Sequence, residues 1–418
     1  MSLSHFSSEF DKIMKRKYFS SKLHPVRKKA FSKFMDEGLP NQKWEDWRFT
    51  DLSAIKNGRF LISEMKDAPK YPINLGPFDI KDVDSIIFYN GHFQKEISSI
   101  PDGVVLSNGE EYFEEKNKKI DCAENSPFDL LNTAMMDSGM CVTVNPNTTV
   151  TNPLRFLFIS DSKNPLMINP RIDLKLEESS SLTFVEHHVG NAPSYFQNES
   201  VFVNANNNSF LDHIRIQSNS NGIINMTNIK VKQECDSQYN FIQFSNSGGF
   251  GRTNIHCELR GEGAECSLNG LTLSDNKNQI DNHIITEHIS PHCISNQNFK
   301  TVLKDQSSGV FNSKVIVRNN AQKTDAKQSN KNLLLSKKAV MNSNPQLEIN
   351  ADDVKCAHAS TTGELDKEAI FYLRSRGLDT KTSKALLVRG FAEEKIGLIK
   401  NENIYNYVVD LFETWIES

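Results

Sequence analysis

Apolar residues recur at every second position through most of residues 141–354, and this alternation constrains the fold more than any other feature of the sequence. A period of two is typical of β-strands, because successive side chains point to opposite faces of a sheet. No helical pattern interrupts the region. The central part of the chain is therefore predicted to be sheet. The runs that carry the alternation are 155–159, 171–176, 181–185, 210–216, 228–232, 239–244, 254–259 and 267–273.

Short polar turns separate these runs at intervals of roughly 28 residues, and such a fixed period indicates a solenoid. The turns begin at Ser179, Asn207, Ser237, Gly263 and His292. Each coil would bury its inward side chains against the next coil, and the flanking segments would cover the two ends. We predict a mainly β protein with three regions, namely an N-terminal helical and mixed region (1–140), a β-helix core (141–360) and a C-terminal helical domain (361–418).

Helical spacing marks both ends of the chain. Residues 6–35 predict two helices separated near Pro25, since proline is not tolerated inside a helix. After the core the apolar spacing changes to three and four, which predicts three further helices. These helices could form a surface for a partner or serve only as a cap, and the sequence leaves both readings open. They are predicted at 364–376, 381–399 and 403–417.

Composition excludes several classes of protein. The formal net charge of -4 and the pI near 6.3 give no global electrostatic reason to expect binding to nucleic acid or to an anionic membrane. The mean hydropathy is -0.49 and no apolar run is long enough to span a bilayer, so an integral membrane protein is not expected. Residues 1–11 show no secretory signal. The seven cysteines are odd in number and dispersed, which predicts a reducing, cytoplasmic compartment rather than a disulfide framework.

Cys356 and His358 lie where the strand pattern gives way to the helix pattern. Two residues apart in an extended chain, they project from one face and place a thiol beside an imidazole. Both groups bind iron–sulfur clusters and zinc, but about four ligands complete such a site and no second pair lies nearby. The alternatives are half of a metal site and a purely structural pair. Asp352 and Asp353 would be outer groups of such a site or simply turn residues.

Other candidate sites are weaker. His283, His288, His292 and Cys293 fall close together, but in an unbroken strand His283 and His288 would face opposite ways. The adjacent residues 187 and 188, and likewise 256 and 257, would also face opposite ways in a strand, so neither pair forms a metal site by itself. The glycine-rich stretch 248–252 lacks the lysine and hydroxyl residue of a phosphate loop, and no nucleophile elbow is present. The sequence therefore predicts no enzyme activity of its own.

Residues 345–360, with the sequence PQLEINADDVKCAHAS, closely resemble the signature of the SufD branch of the SufB/SufD family, which assembles iron–sulfur clusters. The resemblance continues through 259–271, 309–318, 321–336 and 371–377, and it is weaker in the N-terminal half. Asn350 stands where the family usually has an aromatic residue, and Ala359 stands where it usually has glycine. Neither departure removes a ligand. The SufB branch usually carries a Glu-His-Glu element here, which this sequence lacks.

The resemblance implies a right-handed parallel β-helix that works as a non-catalytic scaffold beside SufB and the ATPase SufC. It implies a heterodimer with SufB, a contact between SufC and residues 364–418, and a possible homodimer when the chain is isolated. No cofactor of its own is expected. A transient iron–sulfur cluster would be shared at the interface, with Cys356 and His358 as this chain's half-site. The alternatives are a SufB-type scaffold and a carbohydrate-active β-helix protein.

Overall fold

The computed structural model describes residues 3–16, 23–69, 73–108, 126–136, 138–220, 222–246 and 248–418. Its centre is a β-solenoid of about 8 turns, which confirms the predicted fold class. Each turn contributes one strand to each of two sheets, so strands that are next-but-one in sequence pair side by side. Nearly all pairs of strands are parallel, and the two antiparallel pairs lie in the first part of the chain, where Asp84–Tyr89 pairs with His92–Phe93 and Val104–Asn108 pairs with Ser138–Val144.

The first sheet contains β1 (Leu61–Ile62), β4 (Val104–Asn108), β5 (Ser138–Val144), β7 (Leu166–Ile168), β8 (Pro170–Leu176), β10 (Tyr195–Ala205), β12 (Ile223–Gln233), β14 (Phe250–Leu259), β16 (Gln279–His288), β18 (Ser308–Val317) and β20 (Val340–Ile349). The second sheet contains β2 (Asp84–Tyr89), β3 (His92–Phe93), β6 (Leu154–Ser160), β9 (Ser181–Gly190), β11 (Phe210–Asn219), β13 (Gln238–Ser245), β15 (Glu265–Ser274), β17 (Ile294–Leu303), β19 (Asp325–Leu334) and β21 (Lys355–Gly363). Because β2 pairs with β6, the N-terminal region supplies part of the second sheet.

The corners repeat with the coils. Hydrogen-bonded residues of neighbouring coils are 28 residues apart where the Asn240 side chain donates to Asp212, and 29 residues apart where the Asn276 backbone N–H donates to the Asp305 carboxylate, which matches the predicted period. One corner of successive coils places a residue in the left-handed backbone region, which asparagine, aspartate and glycine adopt most readily. The residues at this corner are Asn147, Ser179, Asn208, Asp236, Gly263, His292 and Lys323.

Helices flank the solenoid, and among the described residues there are seven: α1 (Ser4–Met14), α2 (His24–Glu37), α3 (Ser53–Asn57), α4 (Pro127–Met135), α5 (Lys367–Ser375), α6 (Thr380–Ile396) and α7 (Glu402–Glu417). The two predicted N-terminal helices are present, and Pro25 lies in the first turn of α2, where proline is tolerated. Asp366, Asp379 and Asn401 cap the three predicted C-terminal helices through their side chains.

Both outer faces of the solenoid are covered. The N-terminal helices and α4 pack on the first sheet, where Phe128 contacts Phe196 and Trp47. The guanidinium of Arg252 lies 3.7 Å from the Trp47 ring and further ties this segment to the sheet. On the second sheet, α6 and α7 bury Val388 and Phe412 against strand residues. Many strands are therefore buried on both faces.

No helix in the described ranges is both long enough and apolar enough to cross a membrane.

Candidate functional site

The last coil leaves one end of the solenoid open. Among the described residues, β20 pairs only with β18 and β21 pairs only with β19, so each ends its sheet. Side chains on both strands are exposed or half-buried, and Val340 is 52% exposed. Pro345 lies on β20 at a position where the backbone faces away from β18, so its missing N–H leaves the ladder intact. The edge of β21 has no such block.

Cys356 and His358 lie on β21 and share one face, as predicted. In the parallel register Cys356 follows Ala326 of the preceding coil and His358 follows Gln328. Ala326 and Gln328 are buried inside the solenoid, whereas Cys356 is half-buried and His358 is exposed. The pair therefore occupies the open end of the interior. Burial, followed by the charge of Asp325, raises the pKa of the Cys356 thiol.

Hydrogen bonds extend inward from the residue beneath His358. The Gln328 amide donates to Ser313 Oγ at 2.6 Å, and Ser313 in turn donates to Gln297. Gln297 Nε2 then donates to Thr286 Oγ1 at 2.8 Å. The interior behind His358 is thus polar and ordered over several coils.

Asp352 and Asp353 form the turn before β21. The Asp353 carbonyl accepts from the Lys323 backbone at 2.7 Å, its own N–H donates to Gln322 Oε1 at 3.0 Å, and its carboxylate pairs with Lys323. These contacts hold the corner of the last coil. They give Asp353 a turn role, one of the two alternatives that the sequence left open.

The structure separates the histidine-rich segment, as its spacing predicted. His283 points outward and lies 3.3 Å from Asp46, whereas His288 is buried and contacts Ser295 Oγ at 2.8 Å. His292 occupies a corner with φ of 59°, and the Cys293 thiol donates to the Gly261 carbonyl. These side chains do not converge on a common point.

A cluster inside the solenoid was missed by the sequence reasoning. Glu186 and His188 of β9 meet Glu199 of β10, and one potential ligand atom from each lies within 4.8 Å of the others. His188 and His187 do point apart, as predicted, but His188 shares its face with Glu186 two residues earlier. This spacing of two residues could have indicated from the sequence that Glu186 and His188 lie together. The approach of Glu199 could not be predicted in this way, because it depends on the fold. His213 and Arg215 of β11 complete the cluster.

Charge is unequally distributed between the two buried carboxyl groups. Burial alone would raise the pKa of Glu186, but the charges of Arg215 and His213, together with hydrogen bonds from His188 and His213, hold it well below its usual value. Burial raises the pKa of Glu199, and the neighbouring charge of Glu186 raises it further. The charges of His188 and Arg215 act in the opposite direction but do not cancel the increase. The pKa of Glu186 is therefore shifted down and that of Glu199 is shifted up, so Glu186 is the more acidic of the two groups.

The C-terminal helices present an apolar surface. Phe371 and Tyr372 of α5 are 73% and 56% exposed, the two largest values among the large hydrophobic side chains of the described part of the chain. Leu386 of α6 is also exposed. Contiguous exposed apolar side chains are typical of interaction surfaces. The helices α6 and α7 are anchored on the second sheet, whereas α5, which carries Phe371 and Tyr372, has no buried residue.

Two family models together match nearly the whole chain. A model described as the SUF system FeS cluster assembly, SufBD core domain, matches residues 158–391, and a model of the SufBD protein N-terminal region matches residues 3–156.

Relatives cover most of the chain as well. An iron–sulfur cluster assembly SufBD family protein of Synechocystis is 29% identical over 382 residues, covering 85% of this chain and 83% of its own. The iron–sulfur cluster assembly protein SufD of Escherichia coli is 27% identical over 396 residues, covering 93% and 92%. The chloroplastic protein ABCI7 of Arabidopsis thaliana is 28% identical over 399 residues, covering 91% and 84%.

Proposed function

The chain belongs to the SufBD family of iron–sulfur cluster assembly proteins, and on that basis we propose that it is a SufD-type, non-catalytic scaffold subunit that pairs with SufB and binds the ATPase SufC. The similarity to the Escherichia coli protein named SufD supports the SufD assignment. The nascent iron–sulfur cluster would be cargo that this chain helps SufB to build and release.

The open end of the solenoid is the observation that carries the proposal. Parallel pairing of β21 with β19 begins with the Lys355 N–H donating to the Thr324 carbonyl, so the backbone groups of alternate residues, including Cys356 and His358, face away from β19. Free N–H and C=O groups on an exposed edge pair readily with another strand. A partner solenoid with its own terminal coil would satisfy them, and SufB is the partner we propose. A second copy of this chain would be the substitute in isolation.

Cys356 and His358 would then lie at the interface with SufB. Two ligand atoms do not complete a cluster's coordination, so the remaining ligands would come from the partner. His358 is the stronger candidate contact, since an imidazole binds iron without the tight grip of a thiolate, which suits a protein that hands its cluster on. Cys356 is the second candidate.

The contact with SufC would involve residues 364–418. Phe371 and Tyr372 supply exposed aromatic area on a helix next to the open end, and aromatic side chains are enriched in the energetic centres of interfaces. An ATPase bound there would act close to the proposed cluster site. The neighbouring Arg374 and Arg376 side chains could add charge complementarity at the rim.

The test is anaerobic co-expression of this chain with SufB and SufC, followed by iron analysis and visible spectroscopy of the purified complex. We expect a ternary complex that carries an iron–sulfur chromophore, and we expect the chromophore to fall strongly when Cys356 and His358 are both replaced by alanine. Thr361→Ala is a matched control, because Thr361 is exposed on the same strand but on the other face. Failure of the chain to co-purify with either protein would contradict the proposal.

A SufB-type scaffold is the alternative within the family. It would bind a cluster without a partner, so anaerobic reconstitution of the isolated chain distinguishes the two functions. Membership of the family leaves the carbohydrate-active β-helix protein without support.

A further inference from the structure

The interior of the solenoid contains buried polar atoms around Gly251 that no protein group satisfies. Gln217 Nε2, Ser245 Oγ, Gln197 Oε1 and both amide atoms of Asn225 have no hydrogen-bond partner. The four side chains belong to residues that are at most 3% exposed. Buried polar atoms in native proteins nearly always bond either to the protein or to ordered water. These five atoms therefore need a partner that the neighbouring side chains do not supply.

The register of the strands brings these residues together. Gln197, Asn225 and Gly251 lie side by side on β10, β12 and β14 of the first sheet. Gln217 and Ser245 lie side by side on β11 and β13 of the second sheet. Gln217 faces Gly251 across the interior, since a Cβ built on Gly251 would lie 3.4 Å from Gln217 Nε2. Together the five residues border one space between the two sheets, the internal chamber.

Gly251 provides room in the internal chamber. It is buried, yet Gln217 Nε2 is the only described heavy atom, apart from its chain neighbours, within 4 Å of its Cβ position. At Gly270, another buried glycine, a Cβ would lie only 2.4 Å from the ring of Phe299. Gly251 belongs to the regular strand β14, so no turn requires a glycine there. The side-chain position of Gly251 therefore faces open space rather than close packing.

The polar atoms of the internal chamber suit water better than an ion or an apolar molecule. Amides and hydroxyls supply both hydrogen-bond donors and acceptors, and with either orientation of each amide this mixture remains. None of the side chains that border the chamber is ionisable, so none supplies a charge that could hold an ion. An apolar molecule would leave all five atoms without a partner. Roughly two waters, each making about three hydrogen bonds, would satisfy them.

The internal chamber borders the buried charged cluster. The Gln197 amide contacts His188 Nδ1 at 2.9 Å, and His188 lies 3.4 Å from Glu186, which is paired with Arg215. Charges lose favourable hydration when they are buried, and nearby dipoles that can reorient restore part of it. Water held beside Gln197 would supply such dipoles.

We propose that the internal chamber is a binding site for a small cluster of water molecules. The waters complete the hydrogen bonds of the surrounding side chains and hydrate the neighbouring charged cluster. The site belongs to this chain alone and does not depend on the proposed pairing with SufB. It is separate from Cys356 and His358, which lie at the open end of the solenoid.

The experiment counts long-lived internal waters in the full-length chain by magnetic relaxation dispersion of the water oxygen nucleus. Gly251→Val is the test variant, because its side chain would occupy the internal chamber. Gly363→Val is the control, since Gly363 is exposed on β21 and a Cβ there meets no described atom within 4 Å. Asn225→Leu is a second test variant, which keeps the shape of the side chain and removes two of the unsatisfied atoms. Urea unfolding of each protein gives its midpoint.

We expect the count of long-lived waters to fall by about two in Gly251→Val and to stay at the wild-type value in Gly363→Val. The urea midpoint of Gly251→Val should fall below that of Gly363→Val, because valine displaces the waters and leaves amide atoms unpaired. A midpoint above that of Gly363→Val would show that valine fills a dry cavity, and it would overturn the proposal. An unchanged count in Gly251→Val also overturns it, and the count in Asn225→Leu gives the same decision if Gly251→Val does not fold.

Discussion

His358 lies directly over Gln328 in the pairing of the last two coils. Gln328 is 3% exposed and is hydrogen-bonded within the solenoid, whereas His358 is exposed because no further coil of the described part of the chain covers it. The imidazole therefore occupies a strand position whose side chain is buried in the preceding coil, but in the last coil it is exposed to solvent. This relationship explains how a strand residue with no unusual local structure can become a site when a second protein covers it.

The ligand proposal predicts an order of effects. His358→Ala should lower the cluster content of the complex with SufB and SufC, and Cys356→Ala should lower it to a similar or smaller degree. Neither should change the amount of complex, because both side chains are at least partly exposed and fill no cavity. Iron and sulfide analysis of anaerobically purified complexes measures this. A His358→Ala complex that builds clusters at the wild-type rate and yield would show that His358 is only structural.

Pairing through the free edge of β21 predicts that proline at position 360 blocks the SufB contact. The backbone N–H of Ser360 faces away from β19, so Ser360→Pro removes an outward donor without breaking the existing ladder. Ser360→Ala is the control, since it retains the N–H. Size-exclusion chromatography of the co-expressed proteins should show separate subunits only for the proline variant. Equal heterodimer in both variants would place the contact elsewhere.

The C-terminal surface predicts where SufC binds. Phe371→Ser with Tyr372→Ser should reduce SufC capture at least tenfold, because truncating aromatic anchors costs about 2 kcal/mol or more. Truncation after Thr362 should abolish capture. Val105→Ser is the control, since Val105 is exposed on β4 at the opposite end of the solenoid. If the truncated chain folds and captures SufC with unchanged affinity, the assignment is wrong.

Acid should destabilise the fold partly through His288. Burial lowers the pKa of His288 to about 4, below the 6.5 of an unperturbed histidine. Because the pKa in the folded state is depressed, the contribution of His288 to the free energy of unfolding is complete above pH 6.5. It is lost as the pH falls towards 4. The loss should amount to about 3 kcal/mol between pH 7 and pH 4.

Urea unfolding of wild type and His288→Gln at several pH values measures this contribution. The free energy of unfolding of the variant should fall less steeply with acid, while glutamine can still bond Ser295 Oγ. Parallel curves for the two proteins would show that His288 does not titrate in this range.

Much of the fold follows from local sequence. The alternation of apolar residues, the regular corners and the capped C-terminal helices are consequences of single segments, and the structure confirms them. Cys356 and His358 share a face for the same local reason, since a strand has a period of two. Their position at the end of the solenoid is also readable, because the strand pattern stops there.

Only the tertiary structure decided which face of each strand is the interior. The helices cover the outer faces, so a strand such as β10 is buried on both sides and its pattern no longer distinguishes inside from outside. Glu199 therefore points inward between Asn198 and Ser200, whose side chains hydrogen-bond to Phe128 and Asp129 of α4. Its meeting with Glu186 and His188 joins opposite sheets, and no spacing within one strand can specify a contact that depends on how the coil closes.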